Sequence, residues 1–324
     1  MDIQIKSLLC QAKKPGNNGE LWGYKKQLPL LTLLHFSDVH GDAAAIRRVC
    51  DFIAEYDEFI DGSLCTGDVV ETCWNADFVW EQDVRTKGIL SCIGNHDILA
   101  DWEHRERRIS QEESYQRYFA PYIAHWGCAY QENKTFYYKD YAAHAIRLIV
   151  LNCVLQDAEQ EEQLDWLTSV LQDALQQNLH VIMAMHYPVI MQKIPCNFST
   201  LDPIITESDK AMEVYQEKVA SFIEAGGNFV VWLTGHLHVD CVGYNERFPN
   251  QLCISIDALR SLHSNAYNDA DRREEMPSQD LYNLVTVDTV SHLVKVIRVG
   301  SNLDRYLRKR DTLCIDYKTF AVIA

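Results

Sequence analysis

Short apolar runs bounded by turn-forming residues recur along the chain and predict buried strands. They are Leu30–Phe36, Ser63–Thr66, Gly88–Ile93, Phe136–Lys139, Ile146–Asn152, His180–Met185, Phe229–Thr234, Leu252–Ile256, Leu281–Val287 and Leu293–Val299. Helical spacing lies between several of them. After Asp42, a predicted N-cap, Ile46, Val49, Cys50, Ile53 and Ala54 share one face. Leu164, Leu167, Leu171, Ala174 and Leu175 repeat the pattern, and a third helix is predicted from Ser208 to Ala225, stopped by Gly226 and Gly227. Strands alternating with helices argue an α/β core. From Leu252 to Val299 strands follow one another without helices. Antiparallel pairing is expected there, and hence mixed sheets.

The rhythm breaks over residues 98–130, which are charged and aromatic, and an inserted cap is expected there. Residues 29–300 form the expected main domain, with an N-terminal extension at 1–28 and a C-terminal packing segment at 301–324. Cys196–Ile205 and His263–Gln279 are expected to be long loops.

Composition narrows the class. The chain has 324 residues, 47% hydrophobic and 23% charged, which is a globular mix able to bury a core without disulfides. The net charge of −16 repels phosphate backbones, so nucleic acid is not an expected main partner. An anionic substrate would need a local positive charge, and bound cations would supply it. The N-terminus shows no apolar targeting core. The longest apolar run, Ile146–Leu155, is interrupted by Arg147 and Asn152 and is too short to span a bilayer. The 11 cysteines are scattered with no Cys-x-x-Cys pair, which predicts reduced thiols, no zinc ribbon and a cytoplasmic location.

The informative residues follow the strands. Successive runs end in Ser37-Asp38-Val39-His40-Gly41-Asp42, Gly67-Asp68, Gly94-Asn95-His96-Asp97, His186-Tyr187-Pro188 and Gly235-His236-Leu237-His238. In open α/β sheets ligands bind beyond the carboxyl ends of the strands, so these side chains can converge on one face. Imidazole and carboxylate together suit Mn, Fe, Zn or Ni better than Ca or Mg. Taken singly, Asp38-x-His40 reads as a surface turn, His186 as a core histidine, Asn95 as a turn residue and Asp97 as a helix cap. Their shared position after strands is what turns them into a set. The other histidines have no such spacing, and His35 is expected to pack inside its strand. Trp74, Trp80, Trp102 and Trp126 are expected to pack rather than line a pocket. Arg260, Tyr267 and Tyr282 read equally as substrate contacts or as packing.

The five motifs, in this order, resemble the calcineurin-like metallophosphoesterase superfamily, over about two thirds of the chain. The resemblance implies a four-layer αββα sandwich, two mixed sheets flanked by helices, with a dinuclear metal site at the strand C-terminal ends. It assigns Asp38, His40 and His238 to one ion, Asn95, His186 and His236 to the other, and Asp68 to both. His96 becomes the catalytic histidine, with Asp97 as the partner that holds its ring and raises its pKa. The implied activity is hydrolysis of a small phosphodiester or phosphomonoester by a hydroxide held between two divalent ions. Protein phosphatases of this superfamily carry an Arg soon after Gly-Asp. Here the run is Gly67-Asp68-Val69-Val70-Glu71-Thr72, with no Arg, while the Gly94-Asn95-His96-Asp97 form and the Gly-His-x-His ending look closer to the phosphodiesterase branch. A non-catalytic scaffold with the same fold is the alternative, and it would be expected to have lost ligands. None is missing here. Oligomeric state is not legible.

Overall fold

A computed structural model describes residues 30–73, 88–101, 103–104, 106–189, 192–196, 211–259, 279–300 and 312–323. The first sheet runs β14-β13-β12-β1-β2-β3. Its strands are β1 (Leu30–Phe36), β2 (Gly62–Cys65), β3 (Ile89–Ser91), β12 (Leu281–Asp288), β13 (Leu293–Gly300) and β14 (Thr312–Asp316). The second runs β4-β5-β6-β7-β9-β11-β10-β8. It is built from β4 (Ala129–Tyr130), β5 (Tyr137–Tyr141), β6 (Ile146–Val150), β7 (His180–Ala184), β8 (Gln192–Lys193), β9 (Asn228–Thr234), β10 (Cys241–Asn245) and β11 (Phe248–Ser255). Both sheets are mixed. Strands β1, β2 and β3 are parallel, as are β6, β7, β9 and β11, while β12 to β14 are antiparallel. The described helices are α1 (Ala43–Glu55), α2 (Gln111–Tyr118), α3 (Asp157–Gln176) and α4 (Glu213–Glu224).

The continuous apolar runs have a simple origin: the strands are buried on both faces. In β6 and β7, Leu148, Val150, Ile182 and Ala184 pack toward the first sheet. Their neighbours Ile149, Leu151, Val181 and Met183 pack against Leu167, Val170, Leu171 and Ala174 of α3 and Tyr215, Val219 and Phe222 of α4. Period-two alternation thus feeds two cores. A register shift between Val181 and Ile182 against β9 lets both Val230 and Val231 join the inner core. On the other side α1 lays Ile46, Val49, Phe52 and Ile53 on the first sheet, with Phe52 4.9 Å from the ring of Tyr282. Each such burial is worth about 1.5–3 kcal/mol. The order is helix, sheet, sheet, helices, as the resemblance implied.

Asp42 caps α1 as expected, its carboxylate accepting the Ala45 N–H at 2.9 Å, a bond worth about 1 kcal/mol. Helix α4 begins at Glu213, later than the expected Ser208; residues 208–210 lie outside the described ones. The segment after residue 98 packs into the main core through Tyr115, Tyr118, Phe119, Ile123 and Trp126. Trp126 sits among Phe119 and Tyr137. Arg147, the charge inside an apolar strand, is fully buried and is matched by Asp140 and Asp173 at 2.7 Å each. The described cysteines are free thiols, most of them buried. No described helix is long and apolar enough to cross a membrane. The N-terminal extension, Trp74, Trp80, Trp102, Arg260, Tyr267 and most of both expected long loops lie outside the described residues.

Candidate metal centre

The motifs sit where strands of the two sheets end side by side. The loop after β1 is zipped to the loop after β2. Asp38 N–H donates to the Gly67 carbonyl (3.0 Å), His40 N–H to Asp68 (3.0 Å) and Gly41 N–H to Val69 (2.9 Å). From the second sheet, Gly235 N–H donates to the His186 carbonyl (3.0 Å), and His236 N–H to Asp38 Oδ2 (3.0 Å). The backbone at Asp38, His40, Asp68, His236 and His238 is left-handed, with φ of 54°, 49°, 50°, 70° and 51°. Such a conformation costs a non-glycine residue about 1–3 kcal/mol and persists only where surrounding bonds impose it. Here it turns each side chain inward. Two glycines permit the approach. A Cβ on Gly94 would lie 2.2 Å from Asp68 Oδ1, and one on Gly235 would lie 1.9 Å from Ser37 Oγ.

Three groups of donor atoms result among the described residues. Asp38, His40 and His238 form the first, Asp68, His186 and His236 the second, and His40, Glu71 and His96 a third that shares His40 with the first, with ligand atoms in each within 4.8 Å of one another. In the first, His238 Nε2 is 3.1 Å from Asp38 Oδ1 and 3.1 Å from His40 Nε2. In the second, His186 Nε2 is 3.1 Å from Asp68 Oδ2 and 3.2 Å from Asn95 Oδ1. His96 lies at the junction, its Nε2 3.8 Å from Asp68 Oδ2 and its ring 4.6 Å from that of His40.

The orientation of the His186 ring follows from what its second nitrogen touches. His186 Nδ1 is 2.7 Å from the Thr66 carbonyl, which can only accept, so Nδ1 carries the proton. His40 Nδ1 lies 3.0 Å from Glu71 Oε2, close enough to feel its charge but without a hydrogen bond between the two atoms. Both Nε2 atoms point at the cluster centre, the arrangement that prepares histidines for metal binding.

Charge is concentrated and buried here. Burial works to raise the Asp38 and Asp68 carboxyls, but His238 beside Asp38 and His186 beside Asp68 hold both well below the usual range. Burial works to lower His186, yet the Asp68 charge carries it up to about 9. Burial, helped by the charge of His186, pushes His236 down to about 4.

Asp97 departs from its expected role. Its carboxylate accepts the N–H groups of Asp68 (2.9 Å), Gly94 (2.8 Å) and Val70 (3.1 Å). It therefore knits two motif loops together and does not hold the His96 ring. That ring is held by the Glu71 carbonyl, 3.2 Å from Nδ1. The correction extends to charge: burial lowers the His96 pKa, where the Asp97 pairing was expected to raise it. Burial also raises Asp97, to about 7, with the Asp68 charge adding to the effect.

Glu71 was missed in the sequence reading, although it stands three residues past Asp68 on the same turn. Its carboxylate lies beside His40 Nδ1, and its carbonyl accepts from His96 Nδ1. Tyr187 was also passed over; its ring lies 4.5 Å from that of His236. Tyr282, one of the undecided residues, packs under α1.

A double-sheet sandwich with clustered Asp, Asn and His at its strand ends defines a metallophosphoesterase architecture. The chain belongs to the calcineurin-like phosphoesterase family, whose model matches residues 31–240. Among solved structures it is similar to a dimetal phosphatase from Danio rerio, 14% identical, with a TM-score of 0.51 over 89% of this chain and 99% of that one. It is also similar to a predicted phosphoesterase from Streptococcus pneumoniae, 12% identical, with a TM-score of 0.38 over 85% and 94%. No curated protein matches. The family works with pairs of divalent ions, and the carboxylate and imidazole donors gathered here are of the type such ions take.

Proposed function

We propose that the protein hydrolyses small phosphate esters, phosphodiesters in preference to monoesters, with two divalent ions of the Mn, Fe, Zn or Ni type. The observation that carries this reading is the convergence of Asp38, His40, Asp68, Asn95, His186, His236 and His238. Asp38, His40 and His238 would hold one ion. Asn95, His186 and His236 would hold the other, and Asp68 both. When bound, such ions acidify water and neutralise phosphoryl charge. They also offset the repulsion between a −16 chain and an anionic substrate.

The chain's own groups do the rest. The Thr66 carbonyl keeps His186 turned toward the centre, and the Glu71 charge lies beside His40. Asp97 fixes the Gly67–Asp68 turn against Gly94. His96, its Nδ1–H tied to the Glu71 carbonyl, directs Nε2 toward the reacting phosphate and, in its imidazolium form, delivers the Nε2 proton to the leaving oxygen, returning to the neutral Nδ1–H tautomer. The free thiols fit a reducing compartment, and we place the protein in the cytoplasm.

The deciding experiment compares bis-p-nitrophenyl phosphate with p-nitrophenyl phosphate on the Mn²⁺-loaded protein. The diester is expected to turn over faster. A faster monoester would move the assignment to a phosphatase or nucleotidase. Two bound ions with neither ester cleaved would favour the scaffold.

Glu71→Gln retains the size of the side chain but removes the charge facing His40. Metal affinity is expected to fall about 10- to 100-fold, the usual effect of losing a group that supports a ligand. Isothermal titration with Mn²⁺ checks this, and unchanged affinity would remove Glu71 from the assembly.

A further inference from the structure

The inner face of the first sheet is apolar except at one end. Register sets Leu31, Val287 and Val294 in one row, then Leu33, Val285 and Val296, then His35, Asn283 and Arg298. The alternate residues, Tyr282 among them, face α1. The polar row therefore faces the second sheet, and all of it is buried. It lies at the carboxyl end of β1, three residues before Asp38.

Both ends of this row touch backbone that carries motif residues. Arg298 crosses between the sheets to form an ion pair with Asp240, each side chain 2% exposed. Asp240 follows His238 by two residues and also accepts the Asp257 N–H at 3.2 Å. At the other end His35 Nε2 lies 3.0 Å from Thr66 Oγ1, and the carbonyl of the same Thr66 accepts from His186. Burial, with the Arg298 charge adding, pushes His35 down to about 3, so it stays neutral and leaves the guanidinium to Asp240.

Stability does not account for the row. A buried ion pair loses solvation that apolar residues of similar size do not, and replacing one is often neutral or stabilising. The side-chain amide of Asn283 makes no hydrogen bond to any described group, which adds to the cost. The two rows alongside show that Val and Leu pack this interface well.

We propose that Arg298 and Asp240 are positioning residues of the metal centre. Their ion pair clamps the Gly235–Asp240 loop of the second sheet to the first sheet. That holds His236 and His238 in the left-handed conformations that aim them inward. The inference rests on the ligand roles proposed above for those two histidines.

The test uses the full chain carrying Arg298→Met with Asp240→Asn, and separately Arg298→Lys. The double variant is expected to melt within a few degrees of the parent. Its Mn²⁺ affinity should fall at least about tenfold, while Arg298→Lys stays close to the parent. In the metal-free protein, ¹⁵N–¹H imidazole spectra should show shifted or broadened His236 and His238 signals in the double variant only. Parent-like affinity and imidazole signals would overturn the proposal. So would lost affinity that merely tracks a collapsed melting temperature. A parent protein that binds no Mn²⁺ would refute the metal centre itself, and the imidazole comparison would still decide whether the ion pair sets the loop.

Discussion

Asp68→Asn is expected to abolish metal-dependent turnover while leaving the fold intact. The substitution is nearly isosteric, so the tight fit against Gly94 survives, and an oxygen can still accept the His96 N–H, now at 2.8 Å from Oδ1. What disappears is the carboxylate proposed above to hold both ions. An amide nitrogen near His186 Nε2 offers a donor where a charge stood 3.1 Å away. We expect one bound ion in place of two, and a rate loss of about 10³-fold or more, the scale of several kcal/mol of lost charge stabilisation. Metal stoichiometry and initial rates on bis-p-nitrophenyl phosphate measure both effects. Two ions bound and parental turnover would show that Asp68 is not shared.

His96→Ala is expected to separate binding from chemistry. The His96 side chain is 15% exposed at the junction of the first two donor groups and belongs to neither proposed ligand set. Its loss should leave both ions in place and reduce the rate about 10²- to 10⁴-fold, the usual span for a positioned proton donor. An ester with a better leaving group needs less protonation, so the deficit should shrink with p-nitrophenolate and grow with an alkoxide. An equal deficit for both would argue that His96 places the substrate and does not supply a proton. Parental rates for both would remove it from the site. Asp97→Asn, by contrast, should act through the loops it ties together, affecting metal affinity as well as rate.

The main strands were legible because each is buried on both faces. A strand in that position is apolar at nearly every residue, and Ile146–Val150 and His180–Ala184 carry that signature apart from the ion-paired Arg147 and the half-buried His180. The strands that went unread are edge or near-edge pieces. Strands β4 and β8 have two residues each, too few for any period. Strand β10 includes Gly243 and Asn245, and β14 follows a polar stretch. These segments become strands because a neighbour offers them hydrogen bonds, and no local pattern records that.

The site divides along the same line. Spacing and order along the chain identified the donor set, because the chemistry restricts which residue types can serve and the strand ends restrict where they stand. Partnership was another matter. Asp97 and His96 are adjacent in sequence, yet the carboxylate turns away to three backbone N–H groups and the ring goes to the Glu71 carbonyl. Arg298 and Asp240 are 58 residues apart and meet across two sheets. By itself the sequence determined the main strands and helices and the residue types at the centre, since these depend on local burial and on side-chain chemistry, and the layers followed from the family its motifs resemble. Which side chain orients which ligand was decided only by the tertiary structure, because hydrogen bonds and ion pairs depend on distances that close when the two sheets pack.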